Sequence, residues 1–293
     1  MRNVTQLRII PITQFKIMKH TLKGKRALVT GGARGIGLSI CKALIENDVK
    51  VILTDIDRES GSEIASRIGA EFHFLDVTDR QQFIELFKRY AAQNQPIDIL
   101  VNNAGFMRVG SFTSLTEQEE RDLLNVNLLG VVNGVHAALP LMKKNNKGCI
   151  VNIGSLAGEV AMPFGAIYSS AKFGVTALGD ALNLELRDSD INVCTVFPAM
   201  VKTELIAGIS PPRFPRTITA EHVASAVING IKKGKQRVYA PKSGVFFGKL
   251  PSLLPNFLVN VLASVSGANT IFKTVDSGER LKYSSRIQSN NLQ

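Results

Sequence analysis

Tryptophan is missing from this chain of 293 residues, and only three cysteines, four histidines and four tyrosines are present. The missing tryptophan carries no functional message. Cys41, Cys149 and Cys194 are scattered and form no Cys-x-x-Cys pair, which argues against a thiolate-built metal knuckle or a disulfide framework. Cys149 and Cys194 fall in strand-like apolar runs, where buried reduced thiols are expected, and that usage fits a reducing compartment. His20, His73, His136 and His222 stand apart from one another, so no metal site is predicted; His136, in a helical stretch, is a candidate for lining a groove. No uninterrupted run of about 20 apolar residues exists that would make a membrane-spanning helix. The best candidate, Val245 to Leu262, is broken by Lys249, Pro251, Pro255 and Asn260. The chain has no nucleic-acid motif, no basic strand interleaved with aromatics, no internal repeat and no low-complexity tract.

Charge is unevenly spread. Residues 1–26 carry seven Lys and Arg and no acid, residues 27–200 fifteen against twenty, and residues 201–293 thirteen against four, within a formal net charge of +11. The body is mildly acidic and both ends are basic, which suggests either contact with an anionic surface, membrane ahead of nucleic acid, or simply solvated termini. Met1 to Ile17 is basic and acid-free but lacks a continuous apolar core and a small-residue cleavage site, so it is a poor secretory signal. A mitochondrial-type presequence, a native start at Met18 and a disordered extension over 1–17 remain open readings. The predicted organisation is a basic extension over 1–23, a catalytic domain over 24–241, an apolar and basic extension over 242–283, and a disordered polar tail over 284–293. The expected location is cytoplasmic, with membrane association as the alternative.

Between the ends, strand-length apolar runs recur at 26–30, 50–55, 71–75, 97–101, 149–153, 191–197 and 237–240. Helix-length patterns fall between them at 36–47, 58–68, 80–94, 116–144, 168–188 and 220–233. Alternating β and α with nearly continuous apolar strands predicts a parallel sheet covered by helices on both faces. Right-handed crossovers make this an α/β, doubly wound Rossmann fold, in which ligands bind beyond the carboxyl ends of the strands.

Two motifs lie just past strand ends. Tyr168-Ser169-Ser170-Ala171-Lys172 puts a phenol and an ammonium on one helix face, with Ser155 upstream. A phenol ordinarily titrates near pH ~10; a neighbouring cation should lower that value and suit it to general acid–base work. Thr30-Gly31-Gly32-Ala33-Arg34-Gly35-Ile36-Gly37 follows the run Ala27-Leu28-Val29 and opens a helix. Such a glycine turn lets backbone approach a pyrophosphate at a helix N-terminus, although the spacing is not the usual dinucleotide GxGxxG.

With Asn102-Asn103-Ala104-Gly105 and the segment around Asn127 added, the chain resembles the short-chain dehydrogenase/reductase family, in its single-domain branch. The motifs stand in family order over about residues 24–240. The resemblance implies seven parallel strands in the order 3-2-1-4-5-6-7 and hydride transfer between a carbinol carbon and a nicotinamide. It implies Tyr168 as general acid and base, Lys172 as its partner and a holder of the nicotinamide ribose, Ser155 on the substrate oxygen, and Asn127, rather than Asn125, positioning a water. The expected cofactor-binding residues are Gly31, Ala33, Arg34, Gly35, Ile36 and Gly37 in the turn, with Asp55 on the adenosine ribose and Asp76 and Val77 at the adenine. Asn103, Ala104, Gly105, Tyr168, Lys172, Pro198, Val201 and Thr203 complete that set. Ala199 replaces a glycine of the family pattern Pro-Gly-x-Val-x-Thr, so the local loop can differ. Asp55 favours NAD over NADP because a carboxylate there accepts from ribose hydroxyls and repels a 2′-phosphate; Arg34 argues the other way.

Lys202 to Pro215 is where the family places a substrate lid, and its Ile, Pro and Phe residues give it an apolar character. Val245 to Leu262 reads as a short amphipathic helix that packs on the core or a dimer partner, covers the site, or lies on a membrane. Both features point to a hydrophobic alcohol or ketone of steroid, retinoid or long-chain type. A homodimer or homotetramer packed through the helices at 116–144 and 168–188 is implied by the resemblance. The competing readings are a non-catalytic dinucleotide-binding regulator and a sugar-nucleotide epimerase, the latter needing a larger C-terminal domain.

Overall fold

The structure is a computed structural model that describes residues 21–210, 216–255 and 277–290. Among these, seven strands form one sheet in the order β3-β2-β1-β4-β5-β6-β7, every neighbouring pair parallel. They are β1 Arg26–Thr30, β2 Lys50–Asp55, β3 Glu71–Phe74, β4 Ile99–Asn102, β5 Lys147–Ile153, β6 Asp190–Pro198 and β7 Arg237–Ala240. The predicted Rossmann order is met, with strand ends displaced by one or two residues. The helices are α1 Gly35–Ile45, α2 Arg58–Ile68, α3 Arg80–Ala92, α4 Glu117–Leu124, α5 Gly130–Lys144, α6 Ala166–Glu185, α7 Ala220–Lys232 and α8 Gly244–Leu253. A last helix, here α9, spans Ser277–Asn290.

Successive strand residues serve opposite faces of the sheet, which is why these strands read as continuous apolar runs. Ala27, Val29, Val101 and Val151 pack with Ile40 and Leu44 of α1 and Val223 and Ile231 of α7. Leu28, Leu100 and Ile150 point to the other face and meet Phe83 and Phe87 of α3 and Ala138 of α5. Each fully buried Val, Leu, Ile or Phe side chain among these stabilises the fold by roughly 1.5–3 kcal/mol. The three cysteines are free and buried in these layers. Local signals set the helix ends: the Asp57 carboxylate accepts from the Ser60 amide at 3.0 Å to start α2, and Gly69 ends it with φ +75°, a left-handed conformation that glycine adopts without strain.

Two expectations need correction. The helix predicted over 116–144 is divided by a π-helical turn at Asn125–Leu129. The cause lies at Asn127, whose Nδ2 donates to the carbonyls of Leu123 at 3.0 Å and Phe106 at 2.9 Å. A side chain that competes for helix carbonyls widens the turn, and such widened turns gather at functional sites. The composite stretch Glu117–Lys144 has the length and apolarity of a membrane span, but its most apolar window is half buried inside the protein, where α5 packs on α3 and the sheet. The tail predicted to be disordered from Ser284 is helical up to Asn290. Tyr283 is buried there at 6% exposure, and Arg286 pairs with Glu204, so two side chains hold a polar segment that composition alone reads as unstructured.

The extension over 1–17 with its candidate start at Met18, lid residues 211–215 and the apolar stretch from 256 lie outside the described residues. Within them, α8 packs on the domain through glycine. A side chain at Gly244 would touch Leu156 and Tyr239, and one at Gly248 would overlap the Glu159 carboxyl. Phe246, Phe247 and Leu250 of α8 are exposed.

Candidate active site

The chemical side chains gather at the carboxyl ends of β1, β2, β4, β5 and β6. Tyr168 and Lys172 occupy the first turns of α6. Ser155 begins a tight turn, Leu156–Gly158, just after β5, and its Oγ accepts from the Ala157 amide at 3.1 Å. The Thr176 hydroxyl lies within hydrogen-bond distance of the carbonyls of Gly158 (3.1 Å) and Lys172 (3.0 Å). A Cβ at Gly158 would sit 2.5 Å from the Lys172 carbonyl oxygen. The serine turn is therefore pressed against the helix that carries the phenol and the ammonium.

Tyr168 and Lys172 are both buried, at 7% and 5% exposure. The Lys172 Nζ donates to the Ile153 carbonyl at 3.0 Å and lies 5.7 Å from the Tyr168 ring centre. Burial pushes the phenol up to about 12, opposed by a hydrogen bond with Ser155 and reinforced by Tyr283. Burial pulls the ammonium down to about 8. The expectation that the lysine charge lowers the phenol is thus overturned for the protein alone: removal from water dominates both groups, and the lysine is held toward a backbone carbonyl.

Asn127 is fully buried, its Oδ1 has no hydrogen-bond partner, and a Cβ on Gly105 would lie 2.6 Å from that oxygen. A buried polar atom of this kind asks for a partner, and it faces the loop after β4. Asn125 lies at the start of the same widened turn and is only partly buried.

The glycine turn is a cradle with no room for a side chain at Gly31 or Gly37. Gly31 has φ +62°, and a Cβ there would stand 2.9 Å from Ala104 Cα. A Cβ at Gly37 would overlap the Gly31 carbonyl. Asn103 fastens the turn to β4, its Nδ2 donating to the carbonyls of Thr30 at 2.8 Å and Gly31 at 3.0 Å. The N-terminus of α1 has no side-chain cap and no acid in its first turn, which leaves its amides and its dipole for an anion. Ala33 and Ile36 lie in this turn and helix start. These features fit a dinucleotide pyrophosphate.

At the end of β2 the buried Asp55 accepts from the amides of Ala33 at 3.0 Å and Asp57 at 3.2 Å; a carboxylate has further lone pairs to offer. Arg34 pairs with Asp57 at 2.5 Å, so this guanidinium is held by an acid of the chain itself. Asp76 accepts from the Thr78 amide at 2.9 Å, and Val77 is buried against Gly130. Pro198 ends β6, Val201 bridges to Ile218, and the Thr203 side chain stands over Gly35 at 3.4 Å from where a Cβ would lie. Thr203 thus brings the loop after β6 to the glycine turn.

Around Tyr168 the surroundings are apolar. Met107 and Ile209 pack with it, joined by Val109, Met162, Phe164, Met200, Leu205 and Ile206. An adjoining cavity of about 270 Å³ is walled by Phe112, Leu115, Phe164, Ile167 and Tyr168. Phe164 holds φ +60°, a conformation uncommon for a bulky residue and often found beside functional sites; its carbonyl accepts from the Gly110 amide at 2.9 Å. Sequence reasoning missed two residues here, Arg280 and Tyr283 of α9. The signal was one of only four tyrosines, standing in a segment otherwise polar.

Comparison with known proteins gives a consistent picture. The sequence model of the short chain dehydrogenase family matches residues 25–213. A 3-alpha-(or 20-beta)-hydroxysteroid dehydrogenase of Mycobacterium bovis is 35% identical over 190 residues, which cover 64% of this chain and 73% of that protein. An NADP-dependent (R)-specific alcohol dehydrogenase of Lentilactobacillus kefiri is 36% identical over 196 residues, 64% of this chain and 78% of that one. The crystal structure of a short chain dehydrogenase/reductase from Burkholderia phymatum in complex with NAD superposes with a TM-score of 0.72 over 82% of this chain and 96% of that one, at 22% identity. At that identity the likeness bears on the fold alone.

Proposed function

The chain belongs to the short chain dehydrogenase family of oxidoreductases, and from that premise we propose that it interconverts a hydrophobic alcohol and its ketone or aldehyde, with NAD preferred over NADP. The observation that carries the substrate class is the apolar enclosure of Tyr168 by Met107, Ile209, Leu205 and Phe164, with an apolar cavity beside it. A bulky hydrocarbon gains by leaving water there, whereas a sugar would lose its hydrogen bonds.

The glycine turn and the open N-terminus of α1 would hold the dinucleotide's phosphates, Asp55 its adenosine ribose, and Asp76 and Val77 its adenine. Asn103, Ala104, Gly105, Pro198, Val201 and Thr203 would flank its nicotinamide half, and Lys172 would hold the second ribose. When bound, the nicotinamide supplies the acceptor or donor of hydride. Tyr168 takes the proton from the alcohol oxygen in oxidation and returns it in reduction. Ser155 donates a hydrogen bond to that oxygen and stabilises charge that develops on it. Lys172 keeps its charge at neutral pH, with its value near 8, and so could hold the ribose hydroxyls. Asn127 orients a water that passes the proton outward. The pairing of Arg34 with Asp57 supports the preference for NAD, since that arginine would have to abandon its partner to meet a 2′-phosphate. A homodimer or homotetramer through α4–α5 and α6 is supported by the exposure of Leu129, Phe173 and Leu184, and a cytoplasmic location is part of the same reading.

The test is a panel of steroid, cyclic and long-chain alcohols and ketones with NAD and NADP side by side, followed by the absorbance of the reduced cofactor. Turnover of apolar members with NAD is expected. Activity confined to polar sugars, or a preference for NADP, would reject the corresponding half of the reading.

A further inference from the structure

Helix α9 is made from residues the family match does not reach, yet it is tied to both walls of the pocket. The Arg280 guanidinium donates to the Leu205 carbonyl at 2.8 Å and also to the Met107 carbonyl. The Tyr283 hydroxyl accepts from the Met107 amide at 3.2 Å. Arg280 lies 4.4 Å from the centre of the Tyr283 ring, which is buried with Phe106 and Leu123 and against Ile167 and Ala207. One turn further on, Arg286 pairs with Glu204. Met107 belongs to the loop after β4 and Leu205 to the loop after β6. These two residues face Tyr168 within the same apolar cluster. Among the described residues no backbone hydrogen bond joins the two loops themselves, and Arg280, donating to one carbonyl of each, is a direct bridge between them.

We propose that Arg280 and Tyr283 are positioning residues for substrate: α9 acts as a clasp that holds the two pocket walls at the spacing which selects the substrate's hydrocarbon part. Neither residue need touch the reacting atoms. A fork of donors can hold two carbonyls at once, which a lysine ammonium on its flexible stem does less well. The inference rests on the reading of Tyr168 as the reaction centre, and it adds that specificity is set from the far C-terminal end of the chain.

The experiment uses the full chain with Arg280→Ala, Arg280→Lys and Tyr283→Phe, the last keeping the ring and removing only the hydroxyl that accepts from Met107. Amide hydrogen exchange is measured without any substrate. Exchange at Met107 is expected to quicken by about tenfold in Arg280→Ala and Tyr283→Phe, as loss of a local hydrogen bond implies, with the Gly31–Gly37 amides and the affinity for NADH unchanged. Steady-state reduction of cyclohexanone, 2-octanone and a 3-ketosteroid is then followed. For the bulkiest ketone the wild type reduces, KM should rise by about tenfold in Arg280→Ala with kcat within about twofold, and Arg280→Lys should recover part of it. Unchanged exchange at Met107, or quickening spread equally over β1 and β4, overturns the clasp, and so does a fall in kcat with KM unmoved. A wild type inert on all three ketones rejects the proposed function instead, and the exchange pattern then decides the clasp by itself.

Discussion

Tyr168 is a phenol in the wrong medium for its work. Burial raises it to about 12, and nothing in the protein alone brings it near neutrality. The one opposing influence is the Ser155 hydroxyl, while the neighbouring lysine is itself pulled down to about 8 by burial. Tyr168→Phe should lower turnover by roughly 10²–10⁴-fold, the size of a general acid–base contribution, while NADH binding followed by fluorescence stays within about twofold. Retained turnover would remove Tyr168 from the mechanism. The lysine makes a separate, pH-dependent mark on stability. Its value falls from 10.5 in the open chain to about 8 when folded, so between these limits the unfolded chain binds more protons. Stability from this group is therefore present above pH 10.5 and lost as pH falls through 8. Tyr168 has the opposite sign, its stability present below pH 10.0 and lost as pH rises toward 12. Urea midpoints of wild type and Lys172→Met should diverge in favour of the wild type as pH is raised from 8 to 10.5. A difference that stays constant over that window would contradict the buried ammonium.

At the level of elements, the site depends on irregularities rather than on regular structure. The glycine turn works because backbone occupies the space where side chains would stand. Gly37→Ala would drive a methyl into the Gly31 carbonyl, with no flexible neighbour to yield. The expected result is a loss of about 1–3 kcal/mol, the scale of an overpacked site, together with a weaker affinity for NADH; calorimetry and fluorescence titration read the two. Full stability and affinity in this variant would mean that the turn is looser than its geometry implies. The π-helical turn at Asn125–Leu129 is the second irregularity. It buries Asn127 against Gly105, and a regular helix through the same residues would aim that side chain elsewhere.

Across the whole molecule, apolar surface remains on the two helices expected to meet a second copy. Leu184 is 73% exposed and Phe173 41%, both on α6. Leu184→Asp should shift the mass found by light scattering toward the monomer with little change in melting temperature, since an exposed position contributes little to the fold itself. An unchanged mass would place the interface elsewhere.

The parallel sheet and the location of the motifs at strand ends were legible in the sequence, because strand burial on both faces and helix amphipathicity are periodic and local; the order of the strands came from the family resemblance instead. Equally legible were the positions of Thr30 to Gly37, Asn103, Tyr168 and Lys172, which their spacing along the chain sets. Three features were decided only by the folded chain. The phenol and ammonium values depend on how much water the surrounding loops exclude, the break at Asn127 depends on a carbonyl of Phe106 from another segment, and the grip of Arg280 and Tyr283 joins residues more than 70 positions apart. Each arises from contacts between segments distant along the chain, and no window of neighbouring residues contains them.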